Sequence, residues 1–436
     1  MFPRVYAICV VLAPVAARAD EPVRLRETFA PGYQYRVKVH LTGSGEMTLP
    51  PEKDKAPPET LHIVAKSAIE YDERVLDVTA NDVRKTMRVY RNVEFHRTQG
   101  KMEHDNTIRP AVRRMVVMRV KNNEVPFSPD GPLTYGEIDI VRTDVFTPAL
   151  AGLFPDGPVK PGDSWKATAA AVIELTDMEQ IDDGSLACKF EQTATLLGRR
   201  HARVSINGAV RGVDEFGPCR HEISGHYYFD QESNHLSYIT FKGGHFLLDK
   251  DGKVNGKIEG TFTLTRQAHV RPPEFTDVAL RGLKFDDDEE NTQLLFDNPD
   301  LGVAFLYPRR WRVGNIQAGR QLTIETENGN GLLLTLLPLK DLPNATQYAA
   351  ESKAFVTQQK GKLHGAQNPK RLRDGEKSVD QFALEAELEG RRLLLDYYVI
   401  RQKDSGVTLA ATLRPADAAA LRPEVERIAK SLTVSK

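Results

Sequence analysis

Cysteine and tryptophan are scarce in this chain of 436 residues, with three of the first and two of the second. So few thiols exclude a small scaffold held together by a dense disulfide framework. An excess of one charge is also missing: 59 Lys and Arg stand against 60 Asp and Glu, a formal net charge of −1. A nearly neutral chain of this length carries no electrostatic footprint for nucleic acid or an anionic membrane. No apolar run approaches the roughly 20 residues of a bilayer-spanning helix, so the chain is not expected to span a membrane. The G-x-S-x-G elbow of serine hydrolases and the C-x-x-C pair of common metal sites are absent as well.

The N-terminus carries a positive signal. Arg4 precedes an apolar stretch from Val5 to Ala13, and Ala17-Arg18-Ala19 before Asp20 fits an A-x-A cleavage site. Residues 1–19 are therefore expected to be a cleaved signal peptide, placing the protein in the periplasm or outside the cell. A lipid anchor would need Cys9 at the cleavage point, but Cys9 lies inside the apolar core. Loss of Arg4 and Arg18 would leave a net charge of −3. Cys188 and Cys219 would then share an oxidising compartment, where they either close a disulfide or stay as buried free thiols.

From Tyr33 the pattern has period two, with Tyr33, Tyr35, Val37, Val39 and Leu41 alternating with polar residues as in a half-buried strand. Runs from Leu61, from Met87 to Phe95 and from Met115 to Val120 continue an antiparallel meander. Val145 to Phe154 is mildly helical. After Pro155-Asp156-Gly157-Pro158 further strands are expected over 165–175, 186–197, 202–213, 220–230, 236–248 and 254–265, rich in β-branched and aromatic residues. Residues 20–272 thus read as an antiparallel β domain.

Arg271-Pro272-Pro273 and the acid run Asp286-Asp287-Asp288-Glu289-Glu290 suit a solvated linker over 273–293. Beyond it, Gly302 to Pro308 forms a short strand leading to Trp311, and Gln321–Thr326 pairs with Leu332–Leu337 across Asn328-Gly329. A helix follows, capped by Asn344 with Gln347 in the capping-box position, carrying Tyr348, Phe355 and Val356 on one face and stopping near Gly361. Three strands then precede a last helix with Pro423 in its first turn and Val425, Ile428, Ala429 and Leu432 inward.

The G-x-x-F-x-Y-P-x-x-W opening from Gly302 to Trp311, the hairpin, the helix, the strands and the final Ile428-Ala429-Lys430-Ser431-Leu432 resemble the PsbP-like fold. The resemblance covers residues 294–434 and implies an antiparallel sheet flanked by helices, with residues 294–436 as a second domain. It also implies a non-catalytic binding or assembly role; no functional residue carries over. Ser128 to Leu133 and Val159 to Trp165 resemble stretches of exported bacterial proteins of related β architecture, to which no activity is attached.

Candidate chemistry is sparse. His221-Glu222-Ile223-Ser224-Gly225-His226 is close to H-E-x-x-H, but its histidines are five apart on an expected strand and so point to opposite faces. Cys219, His221, His235 and His245 lie on adjacent expected strands, with Cys219 and His221 on one face. Lacking the close spacing of known sites, they read as hydrogen-bonded surface or core residues, and no metal or other cofactor is expected. Ser164 in Gly162-Asp163-Ser164 precedes a strand, where a nucleophile elbow would follow one. The acid run lacks the spaced ligands and glycine of a calcium loop. Tyr227, Phe229, Tyr238, Phe241 and Phe246 are candidates to line a concave sheet around an apolar ligand.

The expectation is a mainly β plus α+β protein without enzymatic activity, an envelope interaction or assembly module. A carrier of lipid or another apolar small molecule is the alternative, and an exported hydrolase or metalloenzyme comes behind both. The partner is an envelope protein in the first reading and an apolar small molecule in the second.

Overall fold

The computed structural model describes residues 21–49, 59–79, 82–120, 123–142, 144–317 and 320–434. The expected signal peptide, with Cys9, lies outside the described residues. In chain order the strands begin with β1 (Gln34–Leu49), β2 (Glu59–Thr79), β3 (Asp82–Gln99), β4 (Met102–Asn106), β5 (Arg114–Val120) and β6 (Asn123–Phe127). They continue with β7 (Ser164–Lys166), β8 (Gln180–Leu196), β9 (Arg199–Asp214), β10 (Gly217–Asp230), β11 (His235–Leu248) and β12 (Val254–Ala268). After these come β13 (Leu294–Asn298), β14 (Val303–Tyr307), β15 (Trp311–Gln317), β16 (Gln321–Thr326) and β17 (Gly331–Pro338). The last are β18 (Lys362–Arg373), β19 (Ser378–Leu388), β20 (Arg391–Arg401), β21 (Ser405–Leu413) and β22 (Thr433–Val434). The chain is mainly β with an α+β part, as its composition of strands and helices predicts.

The chain divides into two compact units. Among the described residues, one holds those up to Thr28, within His40–Val64 and within Phe146–Ala268; the other holds those within Phe29–Val39, within Ala65–Val145 and from His269 onward. In the first, the strand order runs β2-β1-β12-β11-β10-β9-β8-β7, and β8 to β12 pair antiparallel in sequence order. One face of this ladder is apolar: Ala202, Val204, Ile206 and Val210 are buried along β9, and Leu186, Cys188 and Phe190 along β8. A 3-10 helix at Thr147–Leu153 and an α-helix at Ala169–Thr176 accompany these strands. That α-helix corrects the strand expected over 165–175. Three successive alanines favour helix, the Thr168 hydroxyl accepts from Ala171 N, and Asp177 closes the last turn in the left-handed region at φ 54°.

In the second unit the order is β6-β5-β3-β2-β1 with β4 on β3, beside a three-stranded sheet β13-β14-β22 and a seven-stranded sheet β15-β16-β17-β21-β20-β19-β18. Arg88 lies fully buried on β3, with Nε 3.0 Å from Glu73 Oε1 and Nη1 3.1 Å from Asp144 Oδ2, its guanidinium over the Tyr71 ring. Of the acid stretch, Asp286 to Glu290 is exposed, while Leu280, Leu283 and Phe285 ahead of it pack against buried Met87, Val89 and Phe275. The Ala345–Gln358 helix is capped as expected, Asn344 Oδ1 accepting from Gln347 N at 2.9 Å. Its Val356 is buried, but Phe355 is exposed. Phe382 and Tyr397 stack beneath this helix with centroids 4.7 Å apart. The final helix, Pro415–Ser431, starts earlier than expected: Pro415 occupies the first turn and Pro423 lies inside. Trp311 is buried as a core residue, donating from Nε1 to Glu424 Oε2 at 2.8 Å. The sequence does not predict strands β4, β6, β13, β15, β18 and β22; β18 is largely exposed and makes three register shifts against β19, which erases its alternation.

Candidate metal centre

In the first unit four side chains with metal-binding atoms converge near the β9–β10 turn. Asp214 ends β9, Cys219 and His221 lie two apart on β10, and His245 lies on β11. The ladder register explains the meeting. Gly217 pairs with Asp214, Cys219 with Gly212, and His221 with both Val210 and His245, so all four project from one face. One candidate ligand atom from each residue lies within 4.8 Å of every other. Gly212 is required here, because a Cβ on it would lie 1.9 Å from the Gln180 carbonyl oxygen.

The site is shielded: Asp214 and Cys219 are buried, and His221 and His245 are partly so. Asp214 Oδ1 accepts from Phe216 N at 2.8 Å, which fixes the carboxylate from the turn. His245 Nε2 stands 2.8 Å from Asp214 Oδ2 without hydrogen-bond alignment. His221 Nε2 is buried with no hydrogen-bond partner among the described residues. A buried polar atom left unpaired costs about 1–3 kcal/mol, so its presence calls for an explanation.

Burial pushes the Cys219 thiol up to about 12, and the Asp214 carboxylate reinforces the shift. Burial also brings the His221 imidazole down to about 3, with His245 adding to it, so this ring is neutral at physiological pH. For Asp214 burial works upward, but His245 and the Phe216 amide hold the carboxyl below its ordinary value. The set thus comprises a carboxylate, a thiol and two imidazoles, at least one of them a neutral ring with a lone pair to offer.

The sequence singled out three of these residues and missed Asp214. The face on which Asp214 points depends on the two-residue turn Glu215-Phe216, and an aspartate at a hairpin corner is otherwise commonplace. His235 is not part of the cluster. It pairs with Asp230 at the far end of β11, ten residues from His245 and roughly 33 Å away at about 3.3 Å per residue. His226 lies on the opposite face, its ring 5.4 Å from Tyr228 and 6.1 Å from Tyr238.

The Cys188–Cys219 disulfide is corrected: both cysteines are free and buried. Cys188 pairs with Ile206, which pairs in turn with Gly225, six residues along β10 from Cys219. That separation of roughly 20 Å far exceeds the reach of a disulfide. Burial pushes the Cys188 thiol up to about 12, as suits an inert core residue.

The five aromatic candidates do not share one surface. Tyr227 and Phe229 are buried against Phe154, with centroids 6.0 and 5.0 Å away, and the Tyr227 hydroxyl donates to Leu153 O at 2.9 Å. Phe241 is buried on the same face and stacks on Phe262 at 5.0 Å. Tyr238 and Phe246 point the other way: Tyr238 packs on Tyr228, and Phe246 lies under the Arg220 guanidinium. Period two places these residues on alternate faces, and the chain's own side chains cover the inner set.

No protein-family model and no curated protein matches the chain. Over 33% of its length the chain is similar to cyanobacterial PsbP (CyanoP) from Synechocystis sp. PCC 6803, at 13% identity, 92% coverage of that protein and a TM-score of 0.28. It is similar over 33% to the Ran-binding protein Mog1p of Saccharomyces cerevisiae, at 11% identity, 95% coverage and a TM-score of 0.26. Likeness to lipovitellin, solved in a study of lipid–protein interactions, covers 56% of this chain and 26% of that one, at 9% identity and a TM-score of 0.31. Scores at this level carry neither a residue nor an activity across. Among the described residues no helix is long and apolar enough to cross a membrane.

Proposed function

We propose that this chain is an exported, non-enzymatic interaction or assembly module of the cell envelope, and that the β8–β9 hairpin tip contacts its protein partner. One observation carries the reading. Leu197 is fully exposed at the tip, and both central residues of the turn have positive φ, 50° for Leu197 and 78° for Gly198. Asn-Gly is the usual solution for such a turn. Leucine there costs roughly 1–2 kcal/mol of backbone strain and buries nothing in return. Folding gives no reason for the residue, whereas an apolar anchor entering a partner's pocket does. Exposed Leu196 beside it widens the patch. The N-terminal stretch ending at Ala17-Arg18-Ala19 supports export.

The test is a photocrosslinking side chain at position 197 of the full chain, produced in its own cells, with Leu197→Asn compared by co-isolation. A discrete protein adduct at the tip, weakened capture of that same protein by Leu197→Asn and a mature N-terminus at Asp20 are expected. Absence of an adduct, an adduct to lipid alone, or equal capture by Leu197→Asn would overturn the docking reading.

A further inference from the structure

We infer that Asp214, Cys219, His221 and His245 bind a divalent transition-metal ion, zinc being the one the donor set suits. This goes beyond the docking reading and stands on different residues at another turn of the same unit.

The donor set comes first. One sulfur, two imidazole nitrogens and one carboxylate oxygen form a mixed borderline set, unsuited to calcium or magnesium, which take oxygen ligands. Zinc accepts all three donor types, usually four at a time in a tetrahedron when the site is structural. Bonds of about 2.0–2.3 Å place tetrahedral donors about 3.3–3.8 Å apart. Here the four atoms lie within 4.8 Å of one another, so side-chain rotations closing gaps of at most about 1.0–1.5 Å complete the geometry.

Charge and hydrogen bonding agree with it. On binding, the Cys219 S–H bond breaks, its proton passes to water and the sulfur lone pair bonds the metal. Thiolate and carboxylate then neutralise the dication, so the occupied centre carries no net charge into a buried place. The unpartnered His221 Nε2 and the misaligned His245 Nε2 are two nitrogens that a shared ion would satisfy. Asp214 is already held from behind by Phe216 N, as metal-binding carboxylates commonly are. Protein donors fill the four positions, which makes the role structural: the ion would pin the β9–β10 turn to β11 and shield Cys219 from oxidation.

The test uses the exported chain, freed of metal and titrated with Co²⁺ as an optical probe, then with Zn²⁺. One cobalt per chain is expected, with tetrahedral d–d bands and a thiolate-to-cobalt charge-transfer band, both lost as one equivalent of zinc displaces it. Cys219→Ser should lose the charge-transfer band. His221→Gln should weaken binding by more than the roughly 10–100-fold that removal of an outer-shell partner costs. His226→Gln, on the opposite face, should leave the stoichiometry unchanged. Far-ultraviolet circular dichroism confirms that each variant is folded, and Asp214→Asn provides a second, nearly isosteric probe if Cys219→Ser is not. No stoichiometric cobalt, a charge-transfer band that survives Cys219→Ser, or equal losses from His226→Gln and His221→Gln would overturn the assignment.

Discussion

His221 and His245 face each other across the β10–β11 ladder as direct partners, their rings stacked with centroids 4.2 Å apart and planes within 14°. Two imidazoles held so close cannot both be protonated without repulsion, and neither Nε2 makes an aligned hydrogen bond. The pair therefore presents nitrogen atoms to a space that also receives Cys219 and Asp214. Cross-strand register, rather than any contiguous motif, builds this centre.

The close approach at Gly212 makes a structural prediction. A Cβ there would lie 1.9 Å from Gln180 O, whereas one at Gly243, a strand glycine of the same sheet, would have its nearest neighbour at 3.7 Å. Gly212→Ala should destabilise by about 1–3 kcal/mol, in the range of overpacked sites, and displace Cys219 opposite. Gly243→Ala should stay within about 0.5 kcal/mol. Urea unfolding of the two variants side by side measures the difference.

Glu27 receives two bonds from buried Arg266, Nη2 to Oε1 at 2.6 Å and Nη1 to Oε2 at 3.0 Å, and a third from Leu236 N at 3.3 Å. This tie holds the N-terminal segment to β11 and β12. Glu27→Ala strands a buried guanidinium and should cost about 3–5 kcal/mol. Replacing both partners by methionine should recover most of that loss, because no charge is then left buried. Chemical denaturation of the single and double variants measures both effects.

Arg88 faces two buried carboxylates, and one cation cannot neutralise both. Burial raises the Asp144 carboxyl to about 6; Glu73 adds to the shift, while Arg88 opposes it and Tyr71 and Tyr90 enclose the group. A folded-state value above the ordinary 3.8 means that the native protein holds a proton the unfolded chain has released. This contribution to stability is full below about pH 4 and is lost as pH rises through 6. Asp144→Asn removes it, so wild type should gain stability relative to the variant on going from pH 7.5 to pH 4.5, by on the order of 1–3 kcal/mol. Unfolding midpoints of both proteins at the two pH values supply the check.

The strands are legible where one face is buried: Tyr35, Val37 and Val39, or Val204 and Ile206, alternate with partly buried or exposed neighbours as period two requires. The Ala169–Thr176 helix was not, because Val172 and Ile173 read as strand residues and the deciding features are local, the alanine run and the Thr168 cap. Pro423 misled in the same way, a proline being expected at a helix start and tolerated here inside one. At the site, parity along β10 correctly put Cys219 and His221 on one face. Which residues of β9 and β11 join them is fixed by loop length and by the register shift at Tyr228/Phe229, and composition records neither. The sequence therefore does not reveal Asp214, nor does it separate His235 from residues that lie at the other end of its strand.

X-ray absorption at the zinc edge, on the full chain loaded with one equivalent of zinc, tests the central claim most directly. The account predicts a four-coordinate first shell with one sulfur, the rest nitrogen and oxygen, and the outer-shell scattering of two imidazoles. A shell of light atoms without sulfur, or zinc that does not stay with the protein, would contradict it.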